Sequence, residues 1–251
     1  GFIDIDNEQF YRIDNYDLMP DFFMSIVSDA DHFMFISSNG SLTAGRKNKD
    51  NALFPYYTDD KIHDYRGKTG STTLIQVSDD TQRSLWEPFA EETERIYNIQ
   101  RIIYKSVYGN KVIFEETNED LGLCFRYGWY HSDRFGIIKK ASVENLSEKK
   151  VSIDILDGIS NILPAGADYA FQNEYSNLMD AYKKSELVEG TSIGIFALSS
   201  IPVDRPEPSE ALMANTVWSS GPVSDVRILL SNRQLKAFRK GIPLTTETDV
   251  R

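Results

Sequence analysis

The sequence predicts an all-β protein built as a large antiparallel β-sandwich, and three observations predict it. Apolar residues recur with a period of two along most of the chain, not 3.6. The apolar runs are short and numerous, and Asn, Gly, Asp and Ser separate them. Only two stretches carry helical spacing, too few to cover a parallel sheet. The alternation is imperfect, which points to strands buried on both faces of a large sandwich.

The elements follow in chain order. Phe22–Val27 and His32–Ser37 flank the polar turn Ser28-Asp29-Ala30-Asp31 and read as a hairpin. Asn39-Gly40 is a tight-turn signal that places Ser41-Leu42-Thr43 on a third strand. Thr72–Val77 is a clear β run. Arg101–Tyr108 and Lys111–Thr117 form a hairpin around Gly109-Asn110. Leu121–Tyr130, Gly136–Asn145 and Lys150–Leu156 continue as a meander, and Ile193–Ser199 and Met213–Trp218 close the strand list.

Asp168–Lys184 places Tyr175, Leu178, Met179 and Tyr182 at helical spacing. Ser224–Lys240 starts at a cap residue and stops at Gly241 and Pro243, with Val226, Leu229, Leu230 and Phe238 for docking. The tail from Thr245 to Arg251 is polar and reads as an end without a terminating element. The expected division is a sandwich domain over 1–222, with a linker helix and the start of a following domain over 223–251.

Composition narrows the function classes. The chain has 251 residues and a formal net charge of −11. No basic cluster runs longer than a pair such as Lys139-Lys140, so nucleic acid is not an expected partner. No apolar run approaches the ~20 residues of a membrane helix, so no membrane partner is expected either. No stretch reads as a signal peptide, and Gly1 reads as a cleavage scar that leaves room for a removed upstream segment. A cytoplasmic location is the expectation. The one cysteine, Cys124, excludes an internal disulfide and sits in an alternating pattern as a small core residue. The three histidines are well separated, and neither metal nor cofactor is expected.

The stretch between Ser37 and Gly70 is the richest in binding chemistry. A long loop inside a compact domain is usually functional or disordered, and Leu53-Phe-Pro-Tyr-Tyr57 is too aromatic for disorder. Arg46, Asp50, Asn51, Asp59, Asp60, Lys61 and Asp64 supply donors and acceptors for hydroxyl groups, and Phe54, Tyr56 and Tyr57 supply flat apolar faces. Sugars need both. The competing reading is an Ω-type loop packed by its own aromatics. Asp59-Asp60 is not a glycosidase pair, because adjacent carboxylates point apart rather than flanking a bond. Asp59, Asp60 and Asp64 lack the spacing of an EF-hand. Trp86, Trp129 and Trp218 are further stacking candidates, each weighed against a place in the core. No phosphate-binding glycine loop, Gly-x-Ser-x-Gly elbow or His-Glu-x-x-His is present, and no catalytic residue can be assigned.

Several phrases in fixed order add a resemblance. Asn39-Gly-Ser-Leu-Thr-Ala-Gly-Arg46 is followed by Leu53-Phe-Pro-Tyr-Tyr-Thr-Asp-Asp-Lys-Ile-His-Asp64, Gly67 and Leu85-Trp-Glu-Pro-Phe89. Ser132-Asp-Arg-Phe-Gly136, Asn145-Leu-Ser147 and Leu156-Asp-Gly-Ile-Ser-Asn-Ile-Leu-Pro164 complete the set. This order, over roughly residues 10 to 220, resembles the N-terminal region of cellobiose-phosphorylase-like bacterial proteins.

The resemblance implies a β-supersandwich of galactose-mutarotase-like fold. It also implies a helical linker and then an (α/α)6 barrel that carries the catalytic acid and is absent from this chain. It implies a loop, here Arg46–Asp64, lent to a disaccharide or oligosaccharide site, sometimes across a homodimer. Phe54-Pro-Tyr-Tyr departs from the well-known phosphorylases, so phosphorolysis and hydrolysis both stay open. The expected role is a non-catalytic domain of a glycoside phosphorylase or glycoside hydrolase, with Arg46, Asp50, Asn51, Tyr56, Tyr57, Asp60, Asp64 and Trp86 as candidate sugar contacts. The alternatives are a self-contained carbohydrate-binding module or a structural scaffold.

Overall fold

In the computed structural model, strands hold 43% of the chain and are mostly antiparallel, with only three short α-helices among the described residues. The expected all-β class is the one the chain adopts. The structure describes residues 1–58, 60–78, 83–201 and 211–251. Two compact units are present, one of Gly1–Ala44 with Tyr57–Ile159 and one of Gly45–Tyr56 with Ser160–Arg251.

The first unit holds β1 (Phe2–Ile5), β2 (Glu8–Asp14), β3 (Phe23–Ile26), β4 (His32–Ser37) and most of β5 (Leu42–Arg46). It continues with β6 (Gly70–Ser78), β7 (Arg83–Trp86), β8 (Ile99–Ser106), β9 (Val112–Asn118), β10 (Leu123–Ser132), β11 (Gly136–Asn145) and β12 (Ser152–Ser160). A six-stranded sheet runs β1-β2-β8-β9-β10-β11, and two three-stranded sheets run β3-β4-β5 and β12-β6-β7.

Register explains the imperfect alternation. Directly paired residues share a face, so Ile103, Phe114 and Tyr127 point one way, as do Lys105, Val112 and Trp129. Phe114 and Tyr127 stack at 5.0 Å, and Phe89 meets both rings edge-on. The opposite face is apolar as well, with Phe10, Ile102, Tyr104 and Ile113 in a buried cluster. A strand with two buried faces has no polar residues to place every second position.

One polar network lies inside this unit. Glu116 accepts from Arg101 Nε, Trp86 Nε1 and the Phe89 amide, each at 2.7 Å. Arg101 also reaches Glu94 and donates to Ala90 O at 2.9 Å. Burial pushes the Glu116 carboxyl up from its ordinary value, while Arg101 and the other donors pull it down.

Several sequence expectations need correction here. β1 and β2 precede the first strand read from the sequence. Their connection is Asp6-Asn7, both at positive φ, the two-residue pattern that favours a twisted hairpin. β12 does not extend the meander, because its neighbour is β6 and not β11.

The second unit holds α1 (Tyr169–Glu174), α2 (Ser176–Tyr182), β13 (Lys183–Leu187), β14 (Ile193–Leu198), β15 (Ala214–Trp218), α3 (Leu235–Arg239) and β16 (Asp249–Val250). Its sheet runs β15-β14-β13-β16. Asp168 caps α1 by accepting the Phe171 amide at 2.7 Å. The helical stretch expected to reach Lys184 breaks at Tyr175 and ends at Tyr182, where β13 begins.

The helix expected over Ser224–Lys240 is present only as α3. Amides that a helix would bond internally are taken by the returning tail instead. Glu247 accepts from the Leu230 and Ser231 amides at 2.7 and 2.8 Å, and Thr246 Oγ1 from Ile228. The stop signal is real: Gly241 has φ +68 and its amide bonds to Phe238 O. The tail read as lacking a terminating element forms β16, which pairs with β13.

Candidate functional site

The long loop is shared between the units, passing into the second at Gly45 and returning to the first at Tyr57. Each half is ordered by its own contacts.

In the second unit, Gly45 and Ala52 form an isolated bridge that closes the loop base. Asn48 Oδ1 accepts from the Asp50 amide at 3.1 Å and from Asn51 Nδ2 at 2.8 Å, shaping a single 3-10 turn. Phe54 is buried, and the Leu163 amide donates to Leu53 O at 2.8 Å. Tyr56 stands edge-on to Tyr169 at 5.7 Å, and its amide donates to Gln172 Oε1 at 3.4 Å. Lys49 Nζ lies 4.0 Å over the Tyr169 ring, and Asp50 Oδ1 accepts the Tyr169 amide at 3.2 Å. Arg46, Asp50 and Asn51 remain exposed, and Tyr56 is half-buried.

In the first unit, Tyr57 stacks on Tyr65 at 3.6 Å. Burial pushes its phenol up to about 12, against a lowering contribution from Thr69. Asp64 lies on the 3-10 turn Ile62–Tyr65, and both Asp60 and Asp64 are exposed. A hydrogen bond from Thr58 draws the Asp60 carboxyl below its ordinary value.

Asn39 sets the position of that turn. Its Nδ2 donates to His63 O at 3.0 Å and to Asp21 Oδ2 at 2.7 Å, and its Oδ1 accepts from Ser41 Oγ at 2.9 Å. The Ser41 hydroxyl also donates to Ile62 O. Gly40 has φ +90, and a Cβ there would lie 3.0 Å from the Tyr127 hydroxyl, so the Asn-Gly pair is required twice over. Asn39→Ala is expected to cost about 1–2 kcal/mol, since the Ser41 hydroxyl and His63 O lose a partner away from bulk water. Urea unfolding of wild type and variant checks this, and the Tyr57–Tyr65 stack should lose its near-ultraviolet dichroism.

Trp86 must be withdrawn from the sugar contacts. It is 0% exposed and its indole N–H is spent on Glu116, so neither ring face can meet a ligand. Trp129 is also buried, while Trp218 on β15 is 48% exposed. Asp59 lies outside the described residues. Among the described residues, no group of three or more His, Cys, Asp or Glu is placed to hold a metal ion.

The remaining candidates fall into two sets, Arg46, Asp50, Asn51 and Tyr56 in the second unit, and Tyr57, Asp60 and Asp64 in the first. Neither protein-family models nor curated proteins match the chain.

Ser37 Oγ and His63 Nδ1 lie 2.8 Å apart, the spacing of a nucleophile and base. Yet Ser37 is fully buried and its oxygen also accepts the Asn39 amide, which makes the pair a turn support. Sequence reasoning missed Tyr169, Lys49 and Gln172. Tyr169 stands 119 positions from Asp50, and no local pattern announces a contact at that range.

Proposed function

We propose that the chain is the N-terminal domain of a multidomain carbohydrate-active enzyme, a glycoside phosphorylase or hydrolase, and contributes a sugar-binding loop without a catalytic centre of its own. One observation carries this reading. The segment Gly45–Tyr56 is tied down at its base, at Asn48, at Leu53 and at Tyr56, and still leaves Arg46, Asp50 and Asn51 exposed and Tyr56 half-buried, with Lys49 and Asp50 against Tyr169. A loop ordered before its ligand arrives loses less entropy on binding. Charged and amide groups beside a tyrosine suit the hydroxyls and C–H face of a pyranose.

The motif order that resembles cellobiose-phosphorylase-like proteins supports the same reading and supplies the partner. In this reading an (α/α)6 barrel of the same protein protonates the glycosidic oxygen while phosphate or water attacks. The domain shapes the sugar subsite and contributes to assembly as a dimer.

The test has two arms. Calorimetric titration of the 251-residue chain with glucose-, galactose- and mannose-containing disaccharides, with and without phosphate, reads intrinsic affinity. Steady-state kinetics of the chain extended by its barrel reads the loop's share in catalysis. Tyr56→Ala is expected to raise KM about tenfold, the value of one aromatic–sugar contact of roughly 1 kcal/mol or a little more. The isolated chain is expected to turn over no glycoside. Turnover by that chain, or an unchanged KM in the variant, would overturn the proposal. Saturable binding by the chain alone that Tyr56→Ala removes would favour a self-contained binding module.

A further inference from the structure

His32 and His131 are far apart in sequence, yet their rings stack in the first unit at 5.5 Å and 12°. His32 opens β4 and His131 lies near the end of β10. His131 Nδ1 faces Val27 O at 3.4 Å, and its Nε2 is buried without a hydrogen-bond partner. His32 Nδ1 lies 3.4 Å from Ser28 Oγ.

Lys105 on β8 completes the corner. Its ammonium donates to Ser25 O at 2.5 Å and to Gly109 O at 3.0 Å. Gly109 O also accepts the Val27 amide at 3.0 Å. Bonds from Lys105, Val27 and His131 therefore pin the Ser25–His32 end of the β3–β4 hairpin onto the β8–β9 turn and the end of β10.

Three basic side chains, His32, His131 and Lys105, meet in this corner. On β10 and β11 the residue paired with His131 is Ile137, and the next inward charge, Lys139, is held by Asp157 at 2.6 Å. On β9 and β2 the residues paired with Lys105 are Val112 and Tyr11. The turn carboxylates Asp29 and Asp31 are exposed, where water screens them. A proton on His131 would add charge beside the His32 ring and the Lys105 ammonium, and both neighbours oppose it.

We propose that this corner is an acid-released latch, in which protonation of the His32–His131 pair frees the Ser25–His32 end of the β3–β4 hairpin from the β8–β9 turn. The direction follows from linkage. Burial, with His32 and Lys105 nearby, holds His131 below its ordinary value, against a raising contribution from Val27 O. Burial alone lowers Lys105 to about 8, so it stays largely charged through the acid range. Release of the hairpin exposes the His131 imidazole to water, where it takes a proton near pH 6.5. The closed form holds His131 below that value, so closure is favoured above about pH 6.5 and is lost as pH falls below it. The same strand, β4, ends at Ser37 beside His63, which links the latch to the turn that carries Asp64.

Amide hydrogen exchange on the 251-residue chain, corrected for intrinsic rates, tests the latch at Val27. Its opening constant is expected to rise several-fold from pH 7.5 to 5.5, while the core amide of Ile103 changes far less. His131→Phe keeps a flat ring in the stack and removes the proton site, and the rise should fall to about twofold or less. His32→Phe, at a half-buried position, tests the same point where the first variant folds poorly. Opening at Val27 that is independent of pH overturns the proposal, as does an unchanged pH response in both variants. Equal changes at Val27 and Ile103 overturn it too, because they mean global acid unfolding.

Discussion

Glu116→Ala is expected to lower the unfolding free energy by about 3–5 kcal/mol, the range for removing one partner of a buried ion pair. The carboxylate is fully buried and takes three hydrogen bonds, from Arg101, from the Trp86 indole and from the Phe89 amide. Alanine strands all three donors. Arg101 keeps Glu94 and Ala90 O, which places the loss nearer the lower end of the range. Phe89 adds to it, because its φ of +66 is a costly conformation for an aromatic residue and the Glu116 bond helps to hold it. Glu116→Gln keeps an acceptor oxygen and should lose less than alanine does. Urea denaturation with a constant m-value measures both, and a loss below about 1 kcal/mol for alanine would mean that water replaces the carboxylate. Near-ultraviolet dichroism of the aromatic cluster around Phe114, Tyr127 and Phe89 should weaken in parallel.

Glu247→Ala should release the C-terminal segment from the sheet of the second unit at a local cost of about 2–3 kcal/mol, the scale for hydrogen bonds to a half-buried charged acceptor. Its carboxylate gathers the Leu230 and Ser231 amides, the Ser231 hydroxyl at 3.1 Å and Gln234 Nε2 at 3.0 Å. Those bonds place the neighbouring Thr248, whose carbonyl accepts the Leu187 amide at 3.0 Å, and β16 follows at once. Exchange protection at Leu187 is therefore the readout, with Ile195 in β14 as an internal control. Glu247→Gln should retain part of the protection, and unchanged protection at Leu187 in the alanine variant would show that the two-residue strand holds without the hub.

Much of the fold was legible because its signals are local. Asn39-Gly40, Gly109-Asn110 and the short β-branched and aromatic runs in Ile99–Ser106 and Val112–Asn118 each specify a turn or a strand from neighbouring residues alone. The helix over Ser224–Lys240 was misread for the opposite reason. Its spacing and stop signal are helical, but Glu247 and Thr246 compete for its amides, and that competition exists only after the tail returns. Tertiary hydrogen bonds outweigh propensities of a few tenths of a kilocalorie per residue.

The candidate site divides along the same line. The residue types able to meet a sugar, Arg46, Asp50, Asn51, Tyr56, Tyr57, Asp60 and Asp64, could be read from composition within one loop. Trp86 has the same apparent credentials, and only its burial against Glu116 removes it. The pairing of Tyr56 with Tyr169, and the meeting of His32 with His131, have no sequence signal at all. The sequence by itself determined strands, turns and the chemistry carried by the long loop, since these depend on backbone preference and side-chain type over a few residues. The tertiary structure decided which aromatics are covered, which amides the tail captures and which basic side chains share a corner, because those outcomes depend on register and on contacts between residues far apart in the chain.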